Sequence, residues 1–506
     1  MFVDAILRAA QTRGNATATI CDGRSITWRD TAARTARLAG GLVALGTRPG
    51  DTVGILGLNS DRYLEAMHAT WWCGGVTVPL NARFAIREHL AIIDEARIRT
   101  VFVDQHFLEV AGQIASRRSI QLVFMGQGAP AGMRDHEQIV AQAPPMEPVH
   151  VPAGDLAGIF YTGGTTGSPK GVMHSSLSLW AGAVCLGAAL QPPANPRYLH
   201  ALPMFHLGDL VLAYFTTIDA GTHVIPARFS PESVVNLVSS HGVQLTLLVP
   251  TMISMLLDSA VFQPERLKSL HTLMFGGSPI AESELRRLRA GLPQTRLCQG
   301  FGQSETVANG TLLVNEFRER SAGRALFGNS IRIVDPAGVA QDAGVVGEIL
   351  VKGPAAMLGY WNNPELSAKT LTEGWVHTGD AGCLDHEGYL FIHDRLKDMI
   401  ISGGENVYSA EVENAVASHA GVAQVAVIGV PDDKWGERVH AIIVPRDGVE
   451  PTLADIQLHC RPLIAGYKLP RSVELRREAL PLSAVGKVAK TELRAPHWAG
   501  RARNVN

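Results

Sequence analysis

Cysteine is sparse in this sequence and never clustered. Cys21, Cys73, Cys185, Cys298, Cys383 and Cys460 stand singly along 506 residues. With no C-x-x-C unit, neither a zinc cage nor a disulfide framework is expected, and scattered thiols fit a reducing compartment. Long apolar runs are missing too. The most apolar stretch, residues 177–190, is shorter than the ~20 residues that span a bilayer and is rich in Ala and Gly. The opening residues, MFVDAILRAAQTRG, lack the charged start and long apolar run of a signal peptide. No charge predominates: 45 Lys and Arg against 47 Asp and Glu leave −2. The chain therefore has no global field for nucleic acid or an acidic membrane surface. A soluble cytoplasmic protein with no nucleic-acid partner and no transmembrane segment is the expectation.

Three catalytic signatures are absent as well. No G-K-[ST] completes a Walker loop, no G-x-S-x-G marks a hydrolase elbow, and no G-x-G-x-x-G marks a dinucleotide site. What is present is a globular composition, 46% hydrophobic and 18% charged, long enough for three or four folding units. Short β-branched runs alternate with helical patterns. Residues 29–45 repeat apolar positions at Ala33, Ala36, Leu38 and Leu42. Residues 52–56 and 76–80 read as strands, and Asn59 and Ser60 are placed to cap a helix through Trp72. The rhythm continues at 100–103, 122–125, 244–249 and 272–275, which predicts parallel α/β layers. From Gly323 short strands dominate (331–334, 348–352, 388–392). After Asp394-Arg395-Leu396-Lys397-Asp398 an α+β unit follows, with helices at 411–418 and 453–463 and strands at 422–430 and 439–444. The fold class is α/β: a large N-terminal domain of layered α/β subdomains plus a β-rich subdomain, then a small α+β C-terminal domain. The boundary is expected at 395/396, giving domains 1–395 and 396–506.

The sharpest local feature is Tyr161-Thr162-Gly163-Gly164-Thr165-Thr166-Gly167-Ser168-Pro169-Lys170-Gly171-Val172, following the strand-like Gly158-Ile159-Phe160. Glycines let backbone N–H groups turn onto an anion, hydroxyls add donors and Lys170 adds charge. Such a loop suits a polyphosphate.

The loop resembles the signature of the adenylate-forming superfamily, which includes acyl-CoA synthetases, peptide-synthetase adenylation domains and firefly luciferase. Further motifs follow in the family's order. Gly300-Phe301-Gly302-Gln303-Ser304-Glu305-Thr306 is similar to its aromatic-G-x-[ST]-E element. The resemblance implies that Phe301 stacks on adenine, Ser304 sits beside the reacting groups and Glu305 binds Mg²⁺, a hard cation suited to a carboxylate. Phe301 stands where Tyr is commoner. Gly276-Gly277-Ser278-Pro279 matches the stretch flanking adenine. Thr378-Gly379-Asp380 and the Asp394–Asp398 element imply that Asp380 holds the ribose, that Arg395 contacts ribose or phosphate and that Lys397 is a hinge. Leu480-Pro481-Leu482-Ser483-Ala484-Val485-Gly486-Lys487 resembles the element whose Lys holds carboxylate and α-phosphate oxygens, making Lys487 the catalytic lysine.

Leu202-Pro203-Met204-Phe205-His206 resembles an acyl-CoA synthetase element in which His206 lines the acyl pocket, and Asp209 is placed either near that pocket or facing solvent. Gly403 and Gly404 correspond to backbone that pantetheine passes; Trp435-Gly436-Glu437 and Tyr467-Lys468-Leu469-Pro470 also recur in CoA-using members. The resemblance implies an acyl-CoA synthetase with ATP, Mg²⁺ and CoA, a small-molecule carboxylic acid as substrate and rotation of the C-terminal domain between half-reactions. It is most like bacterial fatty-acyl or medium-chain synthetases, because the lysines of a K-Y-K-G stretch are absent at residues 401–404. An aryl acid, or transfer to a carrier-protein phosphopantetheine, is the alternative, and a homodimer is left open.

Overall fold

The computed structural model describes residues 1–163, 169–278, 280–316, 318, 320–481 and 488–499. The chain forms two compact units, Met1–Ile331 with Val351–Val376, and Arg332–Leu350 with His377–Asn506.

The first unit holds two mainly parallel sheets. In one, Leu156–Thr162, Val76–Pro79, Thr52–Leu56, Thr100–Val103, Gln121–Phe124 and Arg134–Asp135 lie side by side and parallel. In the other, the parallel set runs Arg296–Phe301, Thr272–Gly276, Leu245–Leu248, Arg197–Leu199, Thr222–Ile225, Thr17–Cys21. Strands such as Thr52–Leu56 and Thr100–Val103 are buried at every position, which is why they read as continuous apolar runs rather than alternations. Helices Trp28–Ala44 and Asp61–Trp72 begin where Thr27 accepts from the Asp30 amide and Ser60 from the Tyr63 amide. Asn59 does not share that cap. Its side chain ties down the 200–204 segment, donating to the carbonyls of His200 and Leu202 and accepting from the Met204 amide at 2.8 Å.

One strand escapes the sequence reading. Lys170–Ser175 runs antiparallel to Leu156–Thr162, with Thr162 opposite Lys170, Tyr161 opposite Gly171 and Phe160 opposite Val172. The described residues flanking the Gly/Thr-rich segment, Thr162 and Lys170, are therefore paired across two antiparallel strands. Gly359–Tyr360 pairs with the outer side of the same strand, Tyr360 opposite Val172. The apolar 177–190 stretch becomes the helix Ser176–Leu190, and no described helix is long and apolar enough to cross a membrane.

Mostly within the second unit, Ser330–Val334, Gly347–Lys352, Trp375–Leu384 and Leu390–Arg395 lie in that order. A further sheet orders Glu405–Val407, Ile400–Ser402, Gly436–Pro445 and Val422–Asp432, with Ser472–Leu475 parallel to Gly436–Pro445. Helices Ser409–Ala417 and Leu453–Cys460 bury Val412, Val416 and Ile456 on one face. Leu480 and Leu493 pack with Ile428 and Ile442 on the other. An α+β unit at this end is what the sequence predicts.

All six cysteines are free. Burial pushes the Cys21 thiol up to about 12 and those of Cys73, Cys298 and Cys460 to about 11, so thiolate chemistry is suppressed.

Burial pushes the imidazoles of His68, His89 and His174 down to about 4. The unfolded chain protonates these rings near the ordinary value of about 6.5, the folded chain only near 4. The stability they allow is complete above about pH 6.5 and is lost as pH falls toward 4, at about 1.4 kcal/mol per pH unit per ring. Thermal unfolding should give a midpoint that is level between pH 7 and 8 and drops steadily below 6.5; a level midpoint down to pH 4.5 would contradict this assignment.

Candidate functional site

The phosphate-loop motif sits on the paired strands just described. Thr162 and Lys170 face each other across the two strands, and the described residues stop at Gly163 and resume at Pro169. Gly164, Thr165, Thr166 and Gly167 lie outside the described residues, as does Lys487. Lys170 Nζ stands 5.9 Å from the centre of the Tyr360 ring, and the Tyr360 hydroxyl donates to Glu305 Oε1 at 2.6 Å. Burial, reinforced by the Glu305 charge, raises the Tyr360 hydroxyl far above its ordinary value, so it remains a donor at any physiological pH. Tyr360 thus joins two residues singled out by motif, Lys170 and Glu305. It was missed because it lies 55 positions beyond Glu305, with only the Gly359-Tyr360 pair to mark it.

Glu305 lies in a short 3-10 turn, Ser304–Thr306, directly after the strand Arg296–Phe301. Its carbonyl accepts from the Met357 amide at 2.9 Å. The turn is fixed from a second side by His174, whose Nε2 lies 2.7 Å from the Ser304 carbonyl. A carbonyl only accepts, so Nε2 carries the proton. Nδ1 is then bare and faces the Ser178 hydroxyl at 3.1 Å. The neutral ring agrees with its depressed pKa. His174 was also missed, since a lone histidine beside a glycine-rich loop carries no spacing signal.

The residues around the turn are tightly constrained. Gly300 lies opposite Gly276 on the adjacent strand, and Phe301 opposite Thr311. At Gly302 a Cβ would come within 2.3 Å of the Ala308 carbonyl, so no other residue fits. The Gln303 carbonyl accepts from the amides of Thr306 and Ala308. Val307 and Ala308 both have left-handed backbones, φ 52° and 57°, which costs of order 1–3 kcal/mol each. Two consecutive outliers follow the Glu305 turn. Gly277, φ 81°, and Ser278 leave the end of the strand Thr272–Gly276.

His206 precedes the helix Leu207–Ile218, its ring 4.3 Å from that of Phe205. Asp209 corrects an expectation: it neither lines a pocket nor faces solvent. It is fully buried, accepting from the Tyr198 hydroxyl at 2.8 Å and from His200 Nδ1 at 2.7 Å. Its role is to satisfy buried donors.

In the second unit, Asp380 and Arg395 oppose each other on adjacent strands, with Arg395 Nε 3.4 Å from Asp380 Oδ1. The Thr378 hydroxyl donates to the Ile349 carbonyl and the Gly379 amide to Glu348 Oε1. Lys397 occupies an exposed turn in which the Asp398 and Met399 amides donate back to the Arg395 carbonyl. Asp394 receives both the amide and the hydroxyl of Ser409. Lys490 Nζ donates to Ser409 Oγ at 2.7 Å and pairs with Glu413 at 2.7 Å, while Arg494 meets Asp398 at 3.2 Å. Bonds therefore cross from one side of the Lys397 turn to the other.

Gly403 and Gly404, φ 64° and 83°, form the two-residue turn between Ile400–Ser402 and Glu405–Val407, a conformation that glycine adopts without strain. The Gly403 amide donates to the Trp435 carbonyl at 2.8 Å, and a Cβ on Gly403 would meet the Trp435 ring at 2.6 Å. Lys434 and Arg471 each stand 4.9 Å from that ring's centre. The turn and the Trp435 motif are thus one surface, rimmed by two cations. Lys468, by contrast, is held by Glu411 at 2.7 Å.

Residues 6–361 match the family model for the AMP-binding enzyme and residues 411–487 that for the AMP-binding enzyme C-terminal domain. The chain is 37% identical over 497 residues to a feruloyl-CoA synthase of an Amycolatopsis species, covering 96% of this chain and 97% of that protein. It is 34% identical to the medium/long-chain-fatty-acid–CoA ligase FadD8 of Mycobacterium tuberculosis, covering 91% and 84%. Among solved structures, o-succinylbenzoate CoA synthetase from Bacillus subtilis, in complex with its acyl-adenylate intermediate, superposes with a TM-score of 0.87 at 30% identity over 99% of each chain.

Proposed function

The chain belongs to the AMP-binding enzyme family, and on that premise we propose that it is an acyl-CoA synthetase acting on a hydrophobic carboxylic acid. The observation that carries this reading is the Lys170–Tyr360–Glu305 arrangement, a phosphate-side cation and a cation-binding carboxylate linked by one phenol. The Glu305 carboxylate, with Oε1 fixed by Tyr360, offers the oxygen donor that Mg²⁺ prefers. Mg²⁺ held by Glu305 would supply neutralising charge for the phosphates.

A carboxylate is a poor acyl donor because oxide would have to leave. In the first step its oxygen attacks the α-phosphorus of ATP and pyrophosphate departs. In the second the CoA sulfur attacks the acyl carbonyl and AMP departs. The carboxylate is already a nucleophile, so the first step needs placement and charge stabilisation rather than a general base. Lys170, with Thr162, Gly163, Gly164, Thr165, Thr166 and Gly167, holds the β- and γ-phosphates. Lys487 holds the α-phosphate and Ser304 the reacting groups. Phe301 stacks on adenine, flanked by Gly277, Ser278, Gly300, Gly302 and Gln303. Asp380 and Arg395 hold the ribose hydroxyls. His206 lines the acyl pocket. Gly403 and Gly404 pass the pantetheine arm, and Lys434 and Arg471 beside Trp435 supply positive charge for the phosphates of CoA. Residues 1–395 and 396–506 act as the two moving domains about Lys397, which lies in an exposed turn.

For the acid, a medium- or long-chain aliphatic group is the first reading, supported by the likeness to FadD8. An aryl acid is the second, favoured by the likeness to a feruloyl-CoA synthase. Mass spectrometry of the purified protein with ATP, Mg²⁺, CoA and a mixed acid panel, beside a CoA-free control, tests both. Acyl-CoA and AMP are expected, and the acids consumed decide between the readings. Acyl-AMP without thioester would replace CoA by a carrier protein, and no adenylate with any acid would overturn the proposal.

Glu305→Gln should lower ATP–pyrophosphate exchange by roughly 10²–10³-fold. Tyr360→Phe, which keeps the carboxylate, should lose less at saturating Mg²⁺ than at limiting Mg²⁺. Equal loss at both concentrations would remove Tyr360 from the cation site. Lys397→Pro, restricting φ at the pivot, should slow thioester formation more than exchange; equal loss of both would refute the hinge.

A further inference from the structure

Three side chains in the second unit converge away from every motif discussed above. His440 comes from the strand Gly436–Pro445, Glu474 from Ser472–Leu475, and His497 from the short helix Ala495–Trp498. His440 Nε2 lies 3.8 Å from Glu474 Oε2, and His497 Nε2 lies 3.9 Å from the same oxygen. All three atoms fall within 4.8 Å of one another. Neither nitrogen is close enough to that oxygen for a good hydrogen bond.

The grouping is organised beyond its three atoms. His440 is 6% exposed, and its Nε2 is buried without a hydrogen-bond partner. Its Nδ1 is engaged by Ser472 Oγ at 2.8 Å, which fixes the ring with Nε2 turned toward Glu474. That is the usual support for a metal-binding imidazole. His440 pairs in register with Ser472 and Ile442 with Glu474, so His440 and Glu474 rise from one face of adjoining strands. The third residue is held from behind: Trp498, next to His497, donates its indole N–H to the Gly429 carbonyl at 3.0 Å.

We infer that His440, Glu474 and His497 form a binding site for a borderline divalent ion of the zinc class. Two imidazoles and one carboxylate are a three-ligand zinc set that leaves a position for water, with bonds of about 2.0–2.2 Å reached by a small inward settling of the exposed Glu474 and His497. Nitrogen-rich ligation disfavours Mg²⁺, which takes oxygen ligands, so the site is separate in chemistry from Glu305. Its ligands bracket residues 475–496 in sequence, the stretch that includes Lys487. An ion there ties both ends of that stretch together and reduces its freedom, as any cross-link does.

The test uses the full chain stripped with a chelator and titrated with Zn²⁺ by calorimetry, without nucleotide. Co²⁺ serves as a spectroscopic substitute whose absorption reports nitrogen-containing coordination. One equivalent should bind, unaffected by millimolar Mg²⁺, and His497→Gln and Glu474→Gln should each weaken it at least about tenfold. Both changes are at partly exposed positions and keep side-chain size, so folding is preserved. Zn²⁺ affinity unchanged in both variants would mean an adventitious ion only among the chain's 18 histidines and would overturn the proposal. So would no uptake by the wild type, or displacement of Zn²⁺ by Mg²⁺.

Discussion

The pairing of one six-residue strand, Lys170–Ser175, is what the nucleotide side of the first unit depends on. Its alternate residues 170, 172 and 174 share a face, and each does something different. Lys170 stands over the Tyr360 ring, Val172 pairs with Tyr360 itself, and His174 holds the Ser304 carbonyl. The Thr162–Lys170 pair, the Glu305 turn and the phenol between them are therefore set by a single register. A slip of one residue would turn all three side chains to the opposite face.

This strand also separates the present loop from a Walker loop in physical terms. There the glycine-rich turn runs straight into a helix whose N-terminus attracts phosphate. Here the helix Ser176–Leu190 starts only after the intervening strand, roughly 20 Å of extended chain at about 3.4 Å per residue. The macrodipole acts within a turn of the helix end and does not reach back to Lys170 at the far end of that strand. Under the proposed function, positive charge would come from Lys170, from side-chain and backbone donors, and from a cation. The firmly fixed Glu305 carboxylate would then have a use. The two left-handed residues after Glu305 are a local cost that the His174 and Met357 bonds hold in place.

Much of the architecture was legible because burial on both faces leaves continuous apolar runs, as in Thr52–Leu56, and because hydroxyl caps such as Thr27 and Ser60 mark helix starts. The motif residues were legible because glycine and charge at fixed spacing have few other uses. The rest was written in long-range terms. Lys170–Ser175 begins with a lysine and a glycine and shows no β-branched run, so only its pairing makes it a strand. Tyr360 and His174 act across 55 and 130 positions, beyond any local pattern. Asp209 and Asn59 show the reverse limit: polar residues in suggestive places whose partners, Tyr198, His200 and the 200–204 backbone, exist only in the fold.

The network around the Lys397 turn has a kinetic meaning. Asp394, Ser409, Lys490 and Glu413 form a chain of bonds, of which Asp394–Ser409 links residues before and after that turn, while Arg494 holds Asp398 at its edge. Any pivoting at Lys397 must first break Asp394 from Ser409. Lys490 stands three positions beyond Lys487, so the same bonds hold the chain that carries the candidate catalytic lysine. Under the proposed hinge, this buried clasp would be the contact that opens first. Its release, a carboxylate parting from a serine, would not involve the acid being activated.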